Sequence, residues 1–343
     1  MKLTTLWAFS EAVLGGILHA LSIPFSGAVL TGFAVILISM ISLFSESRGE
    51  IFKATLIVIL VKGAVSPHSP VTAHFAVFLQ GILGELFFFS KRFYKISTML
   101  LSVTTIVLAS VQRVILLTII YGNSLWESID VYSNFILNKI FNPGINDKSL
   151  QVSFIIIFIY LSLHFLLGIY VGLIAGRLPN WINKSINNFN ISQLNVNYKS
   201  VLPFQYGKKK RVWWKRKSRI YLFAVLIVLI GLSYLHPGLD NVYGLNLLIM
   251  IIRAIMILYL WFTFLSPIIY KSFRKFLDKK KSTYAEQVAG IINSFPHFKS
   301  IFELSWHNSS EEKFIKRIKK FITLLIILTL LPGEEFSSLK VKG

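Results

Sequence analysis

Residues 152–176 read VSFIIIFIYLSLHFLLGIYVGLIAG. The stretch holds no Asp, Glu, Lys or Arg. As a helix rising about 1.5 Å per residue it is longer than the roughly 30 Å of hydrocarbon in a bilayer. A helix on the surface of a water-soluble domain keeps a polar face at helical spacing, and here that face is largely missing. Transmembrane β-strands would give short alternating segments instead.

Similar runs recur along the 343 residues, of which 54% are hydrophobic and only 15% charged. An ordinary soluble domain carries about 25% charged residues. The runs are residues 5–23, 26–45, 51–66, 73–89, 96–121, 152–176, 219–235 and 244–270. A ninth, 321–331, is short for a crossing. The fold class is therefore all-α: a polytopic helical membrane protein. It has a six-span bundle, then two further spans, or three if 321–331 crosses, with cytoplasmic amphipathic helices.

The net charge is +21. In a soluble chain that points to nucleic acid. Here the cations sit in polar segments beside apolar runs, so anionic lipid headgroups are the expected partner and nucleic acid is not. With the N-terminus in the cytoplasm of a plasma (inner) membrane, Arg48, Lys53, Lys91, Arg92, Lys95 and the cluster 208–211 all fall inside. The outer loops hold Lys139 and Lys148, offset by Glu127, Asp130, Asp147 and Asp240. That arrangement obeys the positive-inside rule.

Three parts follow: a six-span domain over 1–176, a basic linker over 177–218, and a C-terminal part over 219–343. The last combines spans with basic helices expected at 283–294, 297–307 and 311–320, the first two parted by Phe295 and Pro296. Residues 125–141 have apolar positions at helical spacing and predict a lid-like helix on the outer surface.

The chain has no cysteine, which removes disulfides, thiolate metal sites and cysteine nucleophiles. It also lacks a GxxxxGK[ST] phosphate loop, an HExxH helix and a GxSxG elbow, so no catalytic residue, metal or cofactor is assigned. Ionisable residues at membrane depth are costly and usually face protein or a cavity. His19, Lys62, His68, His74 and Arg113 fall in the outer half of the drawn spans, while Glu11 and Glu85 fall toward the inside. The outer five form the expected binding site for a small anionic or hydrogen-bonding solute. His68 and His74 could hold a metal ion with His19, although no carboxylate is expected beside them. For the same reason a lipid-modifying enzyme with a histidine base ranks last. Glu85 is expected to pair with a basic group near the inner surface.

Ala8, Ala12, Gly16 and Ala20 recur every four residues and form a stripe that permits close helix approach. The stripe is either internal packing or a docking face for another subunit or domain. Gly168, Gly172 and Gly176 make a second stripe, read as internal packing.

With these residues in view, the organisation resembles energy-coupling-factor (ECF) transporters. The six spans with both ends inside, and the stripe Ala8, Ala12, Gly16 and Ala20, resemble a substrate-binding S component. Residues 219–331, with Arg253 inside a span, resemble a shortened T component. The resemblance implies uptake of a vitamin-like solute or metal, with the stripe docking on other membrane subunits or helices and cytosolic ATPase subunits supplying energy. The usual place of the ATPase-seating Ala-Arg motifs holds Trp306, His307 and Asn308, then Lys316 and Arg317. The competing reading is a structural or assembly subunit of a larger membrane complex.

Overall fold

The computed structural model describes residues 1–15, 26–66, 71–141, 151–187, 225, 227–228 and 243–330, and among them the chain is helical apart from short turns, with no strand. Helix α1, Lys2–Phe9, runs into a π-helical turn, Ser10–Leu14. Then come α2, Ser26–Phe44; α3, Glu50–Val65; α4, Val71–Phe87; α5, Tyr94–Tyr121; α6, Ser124–Phe141; and α7, Val152–Gly176. The rest are α8, Leu178–Asn187; α9, Tyr243–Leu260, with a second π turn, Trp261–Leu265; α10, Ser266–His307; and α11, Phe314–Leu330.

Four helical stretches are long and apolar enough to cross a membrane: Ser26–Phe44, Tyr94–Tyr121, Val152–Gly176 and Leu248–Ile269. The chain is thus a membrane-embedded helical protein. The apolar faces of α5 and α7 are largely open, with Leu116, Phe158, Leu166 and Tyr170 among the exposed side chains. In water such faces would be a liability, whereas lipid covers them at no cost. Helix α3, at 16 residues, is shorter than the roughly 20 residues a crossing needs, and much of it is buried. Of the candidate at 5–23, only the part to Gly15 is described; of that at 219–235, only three residues are.

The chain forms two compact units that cut across the sequential division at 176 and 218. The first unit contains Met1–Ile106, Leu167–Gly207 and Leu277–Gly343. The second contains Val107–Leu166 and Lys208–Phe276. The C-terminal helix α11 therefore shares a core with α1 rather than forming a later domain.

In the first unit α1 is buried on every side, from Leu3 to Phe9, and packs on α2, α3 and α11. Ala8 and Ala12 are among the buried residues, so this half of the stripe is covered by the chain itself. Gly16 and Ala20 lie outside the described residues. Glycines set the closest approaches. A Cβ on Gly81 of α4 would overlap the side chain of Thr55 on α3, and one on Gly84 would press into Ile38 of α2. On α7, a Cβ at Gly168 or Gly172 would stand 2.9 Å from the Cα of Val103 or Met99 on α5. The second stripe is internal packing, as its spacing predicts, and Ser102 donates a 2.7 Å hydrogen bond to the Gly168 carbonyl across it.

The break expected at Phe295 and Pro296, between helices at 283–294 and 297–307, does not occur. Pro296 lies inside α10, and the one residue with non-helical angles is Tyr284 (φ −118°, ψ 17°). Proline removes a donor, but adjacent turns can hold the helix together when the surrounding packing favours it. Phe295 packs edge-on against Phe9 of α1 at 5.3 Å between ring centres, and Phe298 and Ile301 are buried.

The α3–α4 contact makes a direct prediction. Gly81→Val should destabilise the protein by about 1–3 kcal/mol or more through overpacking. Gly81→Ala should be milder and non-additive with Thr55→Ala, since the smaller residue removes Oγ1 and Cγ2 from the clash. Thermal unfolding of the detergent-solubilised single and double variants measures both effects; purely additive losses would contradict the packing.

Candidate functional site

Helices α3 and α4 form an antiparallel hairpin whose register is fixed at its lower end. Glu85 accepts hydrogen bonds from the Gly49 amide at 2.6 Å and the Phe52 amide at 3.1 Å. The carboxylate thus caps the start of α3, where amides lack intrahelical partners and the helix dipole favours negative charge. This corrects the expectation that Glu85 pairs with a basic group. Gly49 precedes the helix with φ +85°, a conformation that side chains rarely adopt. Arg48 lies over the Phe89 ring at 4.1 Å.

One step up the hairpin, Thr55 meets Gly81. Two further turns on each helix bring Lys62 and His74 to a common level. Both are buried. At that level the Lys62 Nζ donates to Glu11 Oε2 at 2.7 Å, with side-chain exposures of 7% and 5%. Ser66 Oγ donates to the Ala12 carbonyl at 3.2 Å, one position along from Glu11. Glu11 itself sits in the π turn Ser10–Leu14. Such single-turn bulges inside helices are frequent at functional sites.

The expectation that the outer cations face no carboxylate is therefore overturned for Lys62. The error came from assigning depth span by span. At 1.5 Å per residue, Glu11 stands roughly 14 Å along α1 and Lys62 roughly 18 Å along α3, a gap two long side chains close easily. Lys62 also lies in the last turn of α3, where the helix dipole favours a cation.

Other polar groups are buried elsewhere in the first unit. Gln80 Nε2 donates to Thr31 Oγ1 of α2 at 3.2 Å, while Gln80 Oε1 is buried without a hydrogen bond among the described residues. Trp7 Nε1 is likewise buried without an acceptor. A cavity of about 20 Å³ lies in the same unit, lined by Leu6, Phe9, Leu37, Phe302, Leu325 and Ile326 among others. It has room for about one water molecule, and its apolar walls give a water few partners.

His19 and His68 lie outside the described residues. No group of three metal-ligating side chains occurs among those described. Arg113 is in the second unit, exposed on α5. That unit has polar fixtures of its own. Arg253 on α9 is buried; its Nη2 donates to Ser124 Oγ at 3.1 Å, and Gly122, with φ +72°, leaves space that a Cβ would take from the guanidinium. Asp130 of α6 accepts from the Ser153 amide at 2.6 Å and the Ser153 hydroxyl at 2.8 Å, capping α7. Residues 125–141 are helical, as their spacing predicts. His164 Nδ1 lies 2.8 Å from the Tyr160 carbonyl.

Sequence reasoning missed two features: Glu11 as the partner of Lys62, and Asp130 as a cap. The second carried no local signal: the carboxylate lies 23 residues before the serine it caps. That pattern is too long-ranged to be read without the fold.

Glu11 and Lys62 should behave as one unit. Lys62→Met or Glu11→Gln alone leaves a buried partner unmatched and should cost about 3–5 kcal/mol, while the double variant should recover most of it. Thermal unfolding in detergent reads the cycle, and a double variant no better than the worse single one would contradict the pairing. No protein family, curated protein or solved structure matches this chain.

Proposed function

We propose that the chain is a membrane transport component for uptake of a small vitamin-like solute or metal ion, energised by separate cytosolic ATPase subunits. The observation that carries this reading is the packing of α1 on the C-terminal helix α11 within one compact unit. In the resembled transporters the stripe-bearing first helix docks on a separate T component. Here the corresponding helix is held by helices of its own chain, as a fused arrangement requires. Burial of α1 on every side gives the docking a large apolar area.

In this reading the layer Glu11, Lys62 and His74 is where solute binding is sensed. A carboxylate- or phosphate-bearing solute would compete with Glu11 for the Lys62 ammonium. A closed ion pair then describes the state without solute. Release of the pair frees the π turn, whose extra residue lets α1 shift against α3 without breaking more than one turn of hydrogen bonds. Arg113, exposed on α5 of the second unit, is proposed as a solute-contacting cation from the sequence alone. The N-terminus is cytoplasmic and the membrane is the plasma (inner) membrane, which the distribution of loop lysines and arginines supports.

One observation favours a second reading. Lys62 is already satisfied internally, as expected of a structural or assembly subunit whose charges serve only to hold its helices together. The two readings separate on purification. Gentle isolation from native membranes, followed by mass spectrometry of proteins and small molecules, should recover an ATPase and a stoichiometric solute. Arg113→Ala should then lower solute occupancy at least tenfold while leaving the assembly intact, since a charge-assisted hydrogen bond contributes about 1.5–3 kcal/mol. A large assembly with neither ATPase nor solute would establish the structural reading instead.

A further inference from the structure

Helix α11 divides sharply in two. Its C-terminal half is apolar and buried, including Phe321, Leu324, Leu325, Ile326, Ile327 and Leu328. Its N-terminal half, with the residue before it, carries Lys313, Lys316, Arg317, Lys319 and Lys320. Positions 313, 316, 317 and 320 follow the i, i+3, i+4, i+7 spacing that puts them on one face of a helix. Lys313, Lys316 and Lys319 are exposed, and Arg317 and Lys320 are half-buried.

This placement is unfavourable for the chain by itself. The start of a helix is its positive end, so cations there meet the dipole as well as one another. The first turn of α11 holds no acidic residue, and Glu311 and Glu312 stand before Lys313, ahead of the helix. Among the described residues, none of the five cations forms an ion pair with a carboxylate. Yet one of them is held in place. The Arg317 guanidinium lies over the Trp306 ring at 4.2 Å, and Trp306 packs edge-on against Phe321 at 5.5 Å. Stacking of this kind orients a guanidinium while leaving its outer N–H groups free to bind an oxyanion.

Apolar side chains border the same cations. Trp306 is 47% exposed and Ile318 is 41% exposed. A surface made for an acidic protein would not need an open indole beside a half-exposed isoleucine. A bilayer interface suits this mixture, since tryptophan favours headgroup level, apolar side chains reach the acyl boundary, and lysines and arginines meet phosphate. The cations also stand at the end of an apolar helix in a chain with membrane-crossing segments, where headgroups are to be found.

We propose that Lys313, Lys316, Arg317 and Lys320, with Trp306, form a seat for the phosphate headgroup of anionic phospholipid. Binding there offsets the repulsion at the start of α11 and ties its buried half, together with the α1 contact, to the membrane surface. The proposal is independent of whether the chain transports a solute.

Native mass spectrometry of the full-length protein tests it, in detergent doped with equal phosphatidylglycerol and phosphatidylcholine. The wild type should retain phosphatidylglycerol over phosphatidylcholine, and retention should fall as salt is raised. The variant Lys313→Gln, Lys316→Gln, Arg317→Gln, Lys320→Gln should lose retained phosphatidylglycerol by about tenfold or more, as expected for removal of four headgroup-level cations. Arg317→Lys keeps the charge but not the planar stack, and should lose a smaller share. The exposed pair Lys271→Gln, Lys275→Gln serves as control and should retain the lipid. Equal retention by the wild type and the quadruple variant would overturn the proposal, as would equal loss in the control. So would an unchanged lipid profile accompanied by loss of a co-purifying acidic protein, which would make that protein the occupant. If the quadruple variant fails to fold, a wild-type preference for phosphatidylglycerol that resists salt is enough to reject the seat.

Discussion

A lysine ammonium and a glutamate carboxylate, 2.7 Å apart and shut off from solvent, constrain the whole first unit. Neither charge can be left alone in an apolar bundle, because a buried ion without a partner costs several kcal/mol even after relaxation. The pair therefore fixes the level of α1 against α3. The Glu85 cap and the Thr55–Gly81 contact fix α3 against α4. From these three points the polar layer at Lys62 and His74 follows, as does the buried position of the helix that carries Ala8 and Ala12. An isolated pair of this kind adds little net stability compared with apolar side chains of the same volume. Its value lies in selecting one arrangement, since any slide of α1 by a turn would separate the charges.

The same constraint explains why α1 is irregular at Ser10–Leu14. A helix buried on all sides must place Glu11 toward Lys62 of α3 while keeping apolar residues against three neighbours. Widening a single turn re-aims Glu11 without changing the faces before it. Leu6 and Phe9 still turn toward α10 and α11, where they line a small apolar cavity with Phe302 and Leu325. The C-terminal helices are thereby coupled to the ion pair through one rigid element. A change in the pairing of Lys62 has a short physical route to Phe295 and α11, by way of Phe9.

The parts of this architecture that were legible in the sequence are those governed by local composition. Uncharged runs such as 152–176 announce a helix and its solvent, and glycines four apart announce close packing on α5. What could not be read were contacts between residues far apart in the chain. Glu11 and Lys62 are 51 positions apart, and Glu85 reaches back 36 positions to Gly49. Depth within a drawn span was too coarse a guide, because helices begin at different heights and long side chains reach across the difference. The reading of Pro296 failed for a related reason. Proline disfavours a helix locally, but Phe295, Phe298 and Ile301 find partners only if the helix continues, and that burial outweighs the lost hydrogen bond.

The division of α11 shows the same competition between local and distant demands, with a different outcome. Local electrostatics argue against a helix that starts with Lys316, Arg317, Lys319 and Lys320, yet the buried half from Phe321 onward requires it to be helical and docked. Glu311 and Glu312 stand just before the helix, but among the described residues neither forms an ion pair with these cations. An anionic membrane surface, the occupant proposed for this site, would relieve the conflict from outside the chain. The Trp306 stack restricts Arg317 before any lipid arrives, so less conformational freedom is lost on binding. Frustration confined to one end of one helix, beside a preorganised guanidinium, is what distinguishes a lipid seat from lysines that are merely solvated.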